Sequence, residues 1–171
     1  MIGQLLTVVF AVFYGVISFF FRYYGEMITY LGMTSPIAVM AAVEWLRNPY
    51  EGTAEVQVRT RNRRQAAWLL ALTVLVTAVF HVILKALGNA NLLFSTISIA
   101  TSFLASALTL LRSRWYAAAY AANDVVLIVL WLMASAADRS YFPMVVCFGM
   151  FFINDLYGYC NWRRMQARQS V

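Results

Sequence analysis

Charge, histidine and cysteine are all scarce in this chain. Its 171 residues include one His and two Cys, and only 12% are Asp, Glu, Lys or Arg. The lone histidine, His81, has no Cys or His near it in the sequence, so it reads as a hydrogen-bonded packing residue rather than a metal ligand. Cys147 and Cys160 sit in one apolar stretch and suggest neither a disulfide framework nor a CxxC redox pair. The opening MIGQ lacks the basic region of a secretory leader, and no small-residue cleavage site follows it. There is no phosphate-binding loop, no ion-coupling motif and no room for an ATPase domain.

What fills the chain instead is apolar. Hydrophobic residues make up 63% of it, well above a soluble domain. Stretches of about 20 apolar residues, enough to cross a bilayer core of roughly 30 Å, recur along its length. The predicted spans are Ile2–Phe21, Met27–Trp45, Ala67–Leu87, Leu92–Leu111, Tyr116–Ala136 and Tyr141–Trp162. They leave little for a soluble part, so residues 1–171 are expected to form a single all-α integral membrane domain. The one long hydrophilic segment, residues 48 to 65, reads as a loop with a short extended piece at EVQV.

The net charge of +6 is a topology signal rather than a nucleic-acid footprint. With six spans, Arg47, Arg59, Arg61, Arg63, Arg64, Arg112, Arg114, Arg163, Arg164 and Arg168 all fall on one side. Arg22, Lys85 and Arg139 fall on the other. The positive-inside rule then places both termini in the cytoplasm, with a secondary role for the arginines in contacting anionic lipid.

Sliding the chain against itself by 117 positions lays Tyr24, Met27, Gly32, Met33, Trp45 and Arg47 on Tyr141, Met144, Gly149, Met150, Trp162 and Arg164. Both stretches run towards the basic side and end in Trp followed by Arg. A parallel repeat about an axis along the membrane normal is one explanation, and transporters built so hold their site between the halves. Chance similarity of two hydrophobic segments is the other.

Among the acids, Glu26, Glu51, Glu55 and Asp138 are assigned to loops or span ends, and Glu44 to the interface beside Trp45. Asp124 and Asp155 lie inside spans, about 15 and 12 Å from the basic surface at 1.5 Å per residue. Carboxylates in hydrocarbon cost several kcal/mol and normally face a cavity or a partner. At 100° per residue, Tyr116, Tyr120, Asn123, Asp124 and Trp131 share roughly one face of their helix. Asn154, Tyr157 and Asn161 share another, with Asp155 and Trp162 beside it. Asn91, Ser95, Ser98, Ser102, Ser106 and Thr109 form a third stripe. The bland readings are close packing of small residues for the serines, interfacial anchoring for Tyr116, Tyr159 and Trp162, and interhelical hydrogen bonding for Asn123 and Asn154.

AANDVVLIVLW, the terminal YFPMVVCFGMFFINDLYGYCNWRRM and the upstream YYGEMITYLGM with its EVQVR loop resemble the PnuC family of vitamin and nucleoside transporters. The resemblance covers nearly the whole chain and is most specific at NDLYGYCNWRR. It implies a SWEET-like fold, two three-helix bundles joined by a linking helix, here as six helices with the family's first one absent. It also implies facilitated diffusion of nicotinamide riboside, a cytoplasmic kinase that traps the cargo for NAD biosynthesis, and no cofactor. A family Gln falls near Ser106, so that position enters the candidate site.

Nicotinamide riboside joins a cationic aromatic ring, an amide and a ribose. Aromatic faces suit the ring, at roughly 0.5–2 kcal/mol per cation–π contact, and Asn or Asp suits the amide and hydroxyls. The candidate substrate-binding residues are therefore Ser106, Tyr120, Asn123, Asp124, Trp131, Asn154, Asp155, Tyr157, Asn161 and Trp162. Thiamine or another vitamin or nucleoside on the same fold, or a non-transporting truncated homologue, are the alternatives. An intramembrane enzyme built on Asp124 and Asp155 is disfavoured because no metal-ligand His accompanies them. A homo-oligomer is compatible with this reading but nothing in the sequence demands one.

Overall fold

The computed structural model describes residues 2–169 except 54, 61 and 90. Arg61, placed above on the basic side, and both chain ends lie outside the described residues. The long elements among them are helices. In order they are α1 (Ile2–Phe20), α2 (Tyr24–Ile28), α3 (Ser35–Arg47), α4 (Arg63–Ala86), α5 (Leu92–Leu110), α6 (Tyr116–Ala137) and α7 (Phe142–Gln169). A π-helical turn, Thr29–Thr34, joins α2 to α3 without a break, so the two make one span and six spans are long and apolar enough to cross a membrane.

Local chemistry sets the helix ends. The Asn62 side chain caps α4 by accepting from Gln65 N at 2.9 Å. At its other end Gly88 takes a left-handed φ of 64°, with Gly88 N bonded to Lys85 O and Asn89 N to Leu84 O. The same pair of bonds closes α1 at Arg22 and α5 at Arg112, where a side chain tolerates positive φ. Arg112 is buried and lies 3.6 Å from Glu44, so the interfacial Glu44 has a cation beside it.

The segment between α3 and α4 folds back on itself through a bridge between Pro49 and Val56, with Tyr50 N donating to Glu55 O at 2.8 Å. Its end is tied down by Arg59 N to Arg112 O (3.0 Å), Val58 N to Gln169 Oε1 (2.8 Å) and the Arg168–Glu55 ion pair. The extended piece read at EVQV is thus a short bridge, held by the last turn of α7.

The packing divides the molecule. α1 lies on α2 and α3; α5 lies on α3, α4 and α6; α6 lies on α7. Close approach in the first group needs Gly15, where an added Cβ would sit 2.5 Å from Leu31 Cγ. No Cα of α1, α2 or α3 comes within 8 Å of α6 or α7. The 117-residue offset pairs α1 with α6 and the α2–α3 span with α7, with α5 packed beside α6 and α4 as the link. Helix α5 meets α2 and α3 directly, whereas α6 and α7 reach the first group through large side chains, across a seam between the halves.

Candidate functional site

Two aromatic layers cross that seam. At the end away from the arginines, Trp131 on α6 and Tyr14 on α1 are buried, and Trp131 Nε1 donates to Tyr14 Oη at 2.9 Å. Tyr30 and Phe148 pack edge-on to Tyr14 at 4.5 and 5.3 Å, and Tyr23 packs on Trp131 at 4.9 Å. At the arginine-rich end, Trp45 of α3 and Trp162 of α7 meet at 5.2 Å, with Tyr116 edge-on to Trp162 at 4.7 Å. Trp45 Nε1 donates to Thr109 O at 3.0 Å, which fixes its ring. Such pairs contribute about 0.5–1.5 kcal/mol each beyond the area they bury. Tyr14 and Trp131, like Trp45 and Trp162, are 117 residues apart. Residues equated by the repeat therefore touch each other, as expected where a twofold axis runs along the seam.

Between the layers lies a polar level organised by α5. Its serines are buried, as a packing stripe requires, yet each bonds a different group. Ser98 Oγ donates to Glu26 Oε2 at 3.2 Å, Ser102 Oγ to Asn123 Oδ1 at 2.9 Å, and Ser106 Oγ pairs with Tyr120 Oη at 3.2 Å. Thr101 Oγ1 adds a second bond to Asn123 Oδ1 at 2.7 Å. The Asn123 side chain also lies within hydrogen-bonding reach of Tyr30. Asp124 and Asp155, the carboxyl groups read as lying at similar depth, are neighbours where α6 packs on α7. Asp124 Oδ2 is buried and has no partner among the described residues. His81 Nδ1 bonds Thr96 Oγ1 at 2.9 Å, the packing role expected of it.

Seven of the ten candidate residues meet at this seam: Ser106, Tyr120, Asn123, Asp124, Trp131, Asp155 and Trp162. The other three, Asn154, Tyr157 and Asn161, lie on the outer face of α7, where Tyr157 is 71% exposed. The seam-facing line of α7 is instead Phe148, Asp155 and Trp162, spaced seven apart. Polarity marked the neighbouring stripe, but burial selects the heptad line.

Glu26 corrects the reading of the acids. Placed above at a span end, it is fully buried in α2, and its Oε1 has no partner among the described residues. It sits just before the π turn, a helix irregularity common at functional sites. Tyr14 and Tyr30 were also missed; the offset from Trp131 would have found Tyr14. No group of three or more His, Cys, Asp or Glu side chains comes together among the described residues. The polar level thus offers hydroxyl, amide and carboxyl groups to a polar solute, framed by aromatic rings.

A family model described as nicotinamide mononucleotide transporter matches residues 1–164. The curated nicotinamide riboside transporter PnuC of Neisseria mucosa is 28% identical over 162 residues, 92% of this chain. The chain spans 62% of that relative's length. A crystal structure of the vitamin B3 transporter PnuC superposes with a TM-score of 0.83 at 26% identity, covering 97% of this chain and 73% of that one. The layered seam and these matches agree, and the chain belongs to the nicotinamide mononucleotide transporter family.

Proposed function

We propose that this protein carries nicotinamide riboside across its membrane by facilitated diffusion along the seam. The observation that carries the reading is the polar level of Tyr30, Tyr120, Asn123, Asp124 and Asp155, flanked by aromatic layers, where α6 and α7 share no close backbone contact with α1, α2 or α3. Rocking of the halves would open one aromatic layer while the other stays shut, the alternating access expected of repeat-built carriers. The pyridinium ring suits tyrosine and tryptophan faces, and Asn123 and the carboxyl groups suit the ribose hydroxyls and the amide. Asn154, Tyr157 and Asn161 would meet the substrate only if α7 turns during the cycle.

Charge favours the nucleoside over its phosphate. The buried acids within the spans are Glu26 and Asp124, with Asp155 beside Asp124, while Arg112, the one buried arginine among the described residues, lies at a helix end near Glu44. A phosphate dianion would enter an acidic interior without a basic partner. Thiamine, also a cationic ring, is the second reading, supported by the same acids. Inner-membrane placement with cytoplasmic termini, and a cytoplasmic kinase that traps the product, complete the proposal. The arginine distribution supports the orientation.

Uptake of labelled nicotinamide riboside into proteoliposomes tests it. Equilibration above empty liposomes, competed by unlabelled nicotinamide riboside and not by the mononucleotide, is the expected result. Uptake of thiamine alone would replace the cargo, and no uptake of either by folded protein would sink the transport reading.

A further inference from the structure

We propose that the clefts between α4 and the α5–α6 corner, at the arginine-rich end, bind an anionic phospholipid. Two openings of about 410 and 460 Å³ share Arg59 and Leu69. Their apolar walls are Leu72 with Leu111, the residue that ends α5, in one and Leu104 with Leu108 in the other. Leu72, Leu104 and Leu108 are on helices apolar enough to lie in hydrocarbon. Their polar linings hold Arg59 and Arg114 but no acidic side chain. Polar groups at one end of an apolar trough match the order of a lipid, phosphate at the interface and acyl chain along the leucines.

The basic groups are held in place. Arg59 is anchored through its backbone N to Arg112 O at 3.0 Å, and its guanidinium forms no ion pair among the described residues. The Arg114 guanidinium lies 5.0 Å from the Trp115 ring centroid. Gln166 in the same cleft has a buried Oε1 without a partner, an acceptor for a headgroup hydroxyl such as the glycerol of phosphatidylglycerol. Trp68 at the first cleft is 68% exposed, as an interfacial anchor would be. The nearby acids Glu44 and Glu55 face Arg112 and Arg168, leaving Arg59 and Arg114 for an external anion. The site lies on the helix that links the two halves, so its occupant would brace that link. The inference rests on these clefts and is independent of the cargo.

The test is thermal stability of the purified full chain with added phosphatidylglycerol, phosphatidylcholine of the same acyl chains, or inorganic phosphate. Phosphatidylglycerol is expected to raise Tm by roughly 3–5 °C, with the other two giving little. The rise should vanish in Arg59→Gln/Arg114→Gln and persist in Arg163→Gln/Arg164→Gln, which removes equal charge outside the clefts. Native mass spectrometry should show the retained lipid lost with the first pair only. Equal stabilisation by phosphatidylcholine, equal loss in both double variants, or a full effect of phosphate alone would overturn the proposal. So would a Trp68→Cys cross-link between two copies that forms regardless of lipid, since a second copy would then cover the clefts.

Discussion

The two halves related by the 117-residue offset agree at their ends and disagree in the middle. Tyr14 pairs with Trp131 and Trp45 with Trp162, aromatic against aromatic, and each pair is in contact. At mid-depth Leu6, Thr7 and Ala38 stand where the second half has Asn123, Asp124 and Asp155. Leu6 is 63% exposed, whereas Asn123 is buried against α5. The symmetric residues close the seam and the asymmetric ones furnish it. In the proposed carrier, like residues of the two halves would meet at each gate, while a substrate without symmetry would need unlike groups between them.

The largest expected effect breaks the aromatic agreement. Trp131→Ala removes a fully buried indole and the donor to Tyr14, and should lower stability by about 3–5 kcal/mol in detergent unfolding. A loss below 1 kcal/mol would mean the far layer is not a packed closure. Gly15→Ala comes next. Its new methyl meets Leu31, so we expect about 1–3 kcal/mol of destabilisation, recovered in Gly15→Ala/Leu31→Ala.

The asymmetric level is probed by Asn123→Ala, which strands the Ser102 hydroxyl and leaves Thr101 only its backbone acceptors Ile97 O and Ser98 O. Uptake should fall at least tenfold, about 1.4 kcal/mol, while Leu6→Ala at the equivalent position should change it less than about twofold. Similar losses in both would dissolve the distinction drawn here. The smallest effect lies outside the spans. Bonds from the Ser140 backbone and side chain hold the Asp138 carboxyl group below the usual carboxylate range. A depressed value stabilises the fold above the unfolded pKa of about 3.9 and is lost as pH falls through the folded one. The stability gap between the protein and Asp138→Asn should hold above about pH 5 and close on acidification. A gap that widens in acid would contradict this sign.

Much of this was legible in the residues themselves. Span number follows from apolar run length, because no other element satisfies the backbone across lipid. The placement of Asp124 and Asp155 inside spans, at similar distances from the basic ends, follows from helical rise. The outward turn of Asn154, Tyr157 and Asn161 was not legible. A helical wheel ranks faces by polarity, and which face meets the other half depends on where α6 and α1 lie. Glu26 escaped for a related reason: it stands one residue before the predicted span Met27–Trp45, yet the seam closes over it.

By itself, the sequence determined six apolar helices, the arginine-rich end, the family and the repeat, since each is written in run length, charge placement or residue identity along the chain. Only the tertiary structure decided which polar stripe faces inward, that the α5 serines bond both halves, and that equated aromatics touch. Those are relations between residues far apart in the chain, set by packing that no single helix specifies.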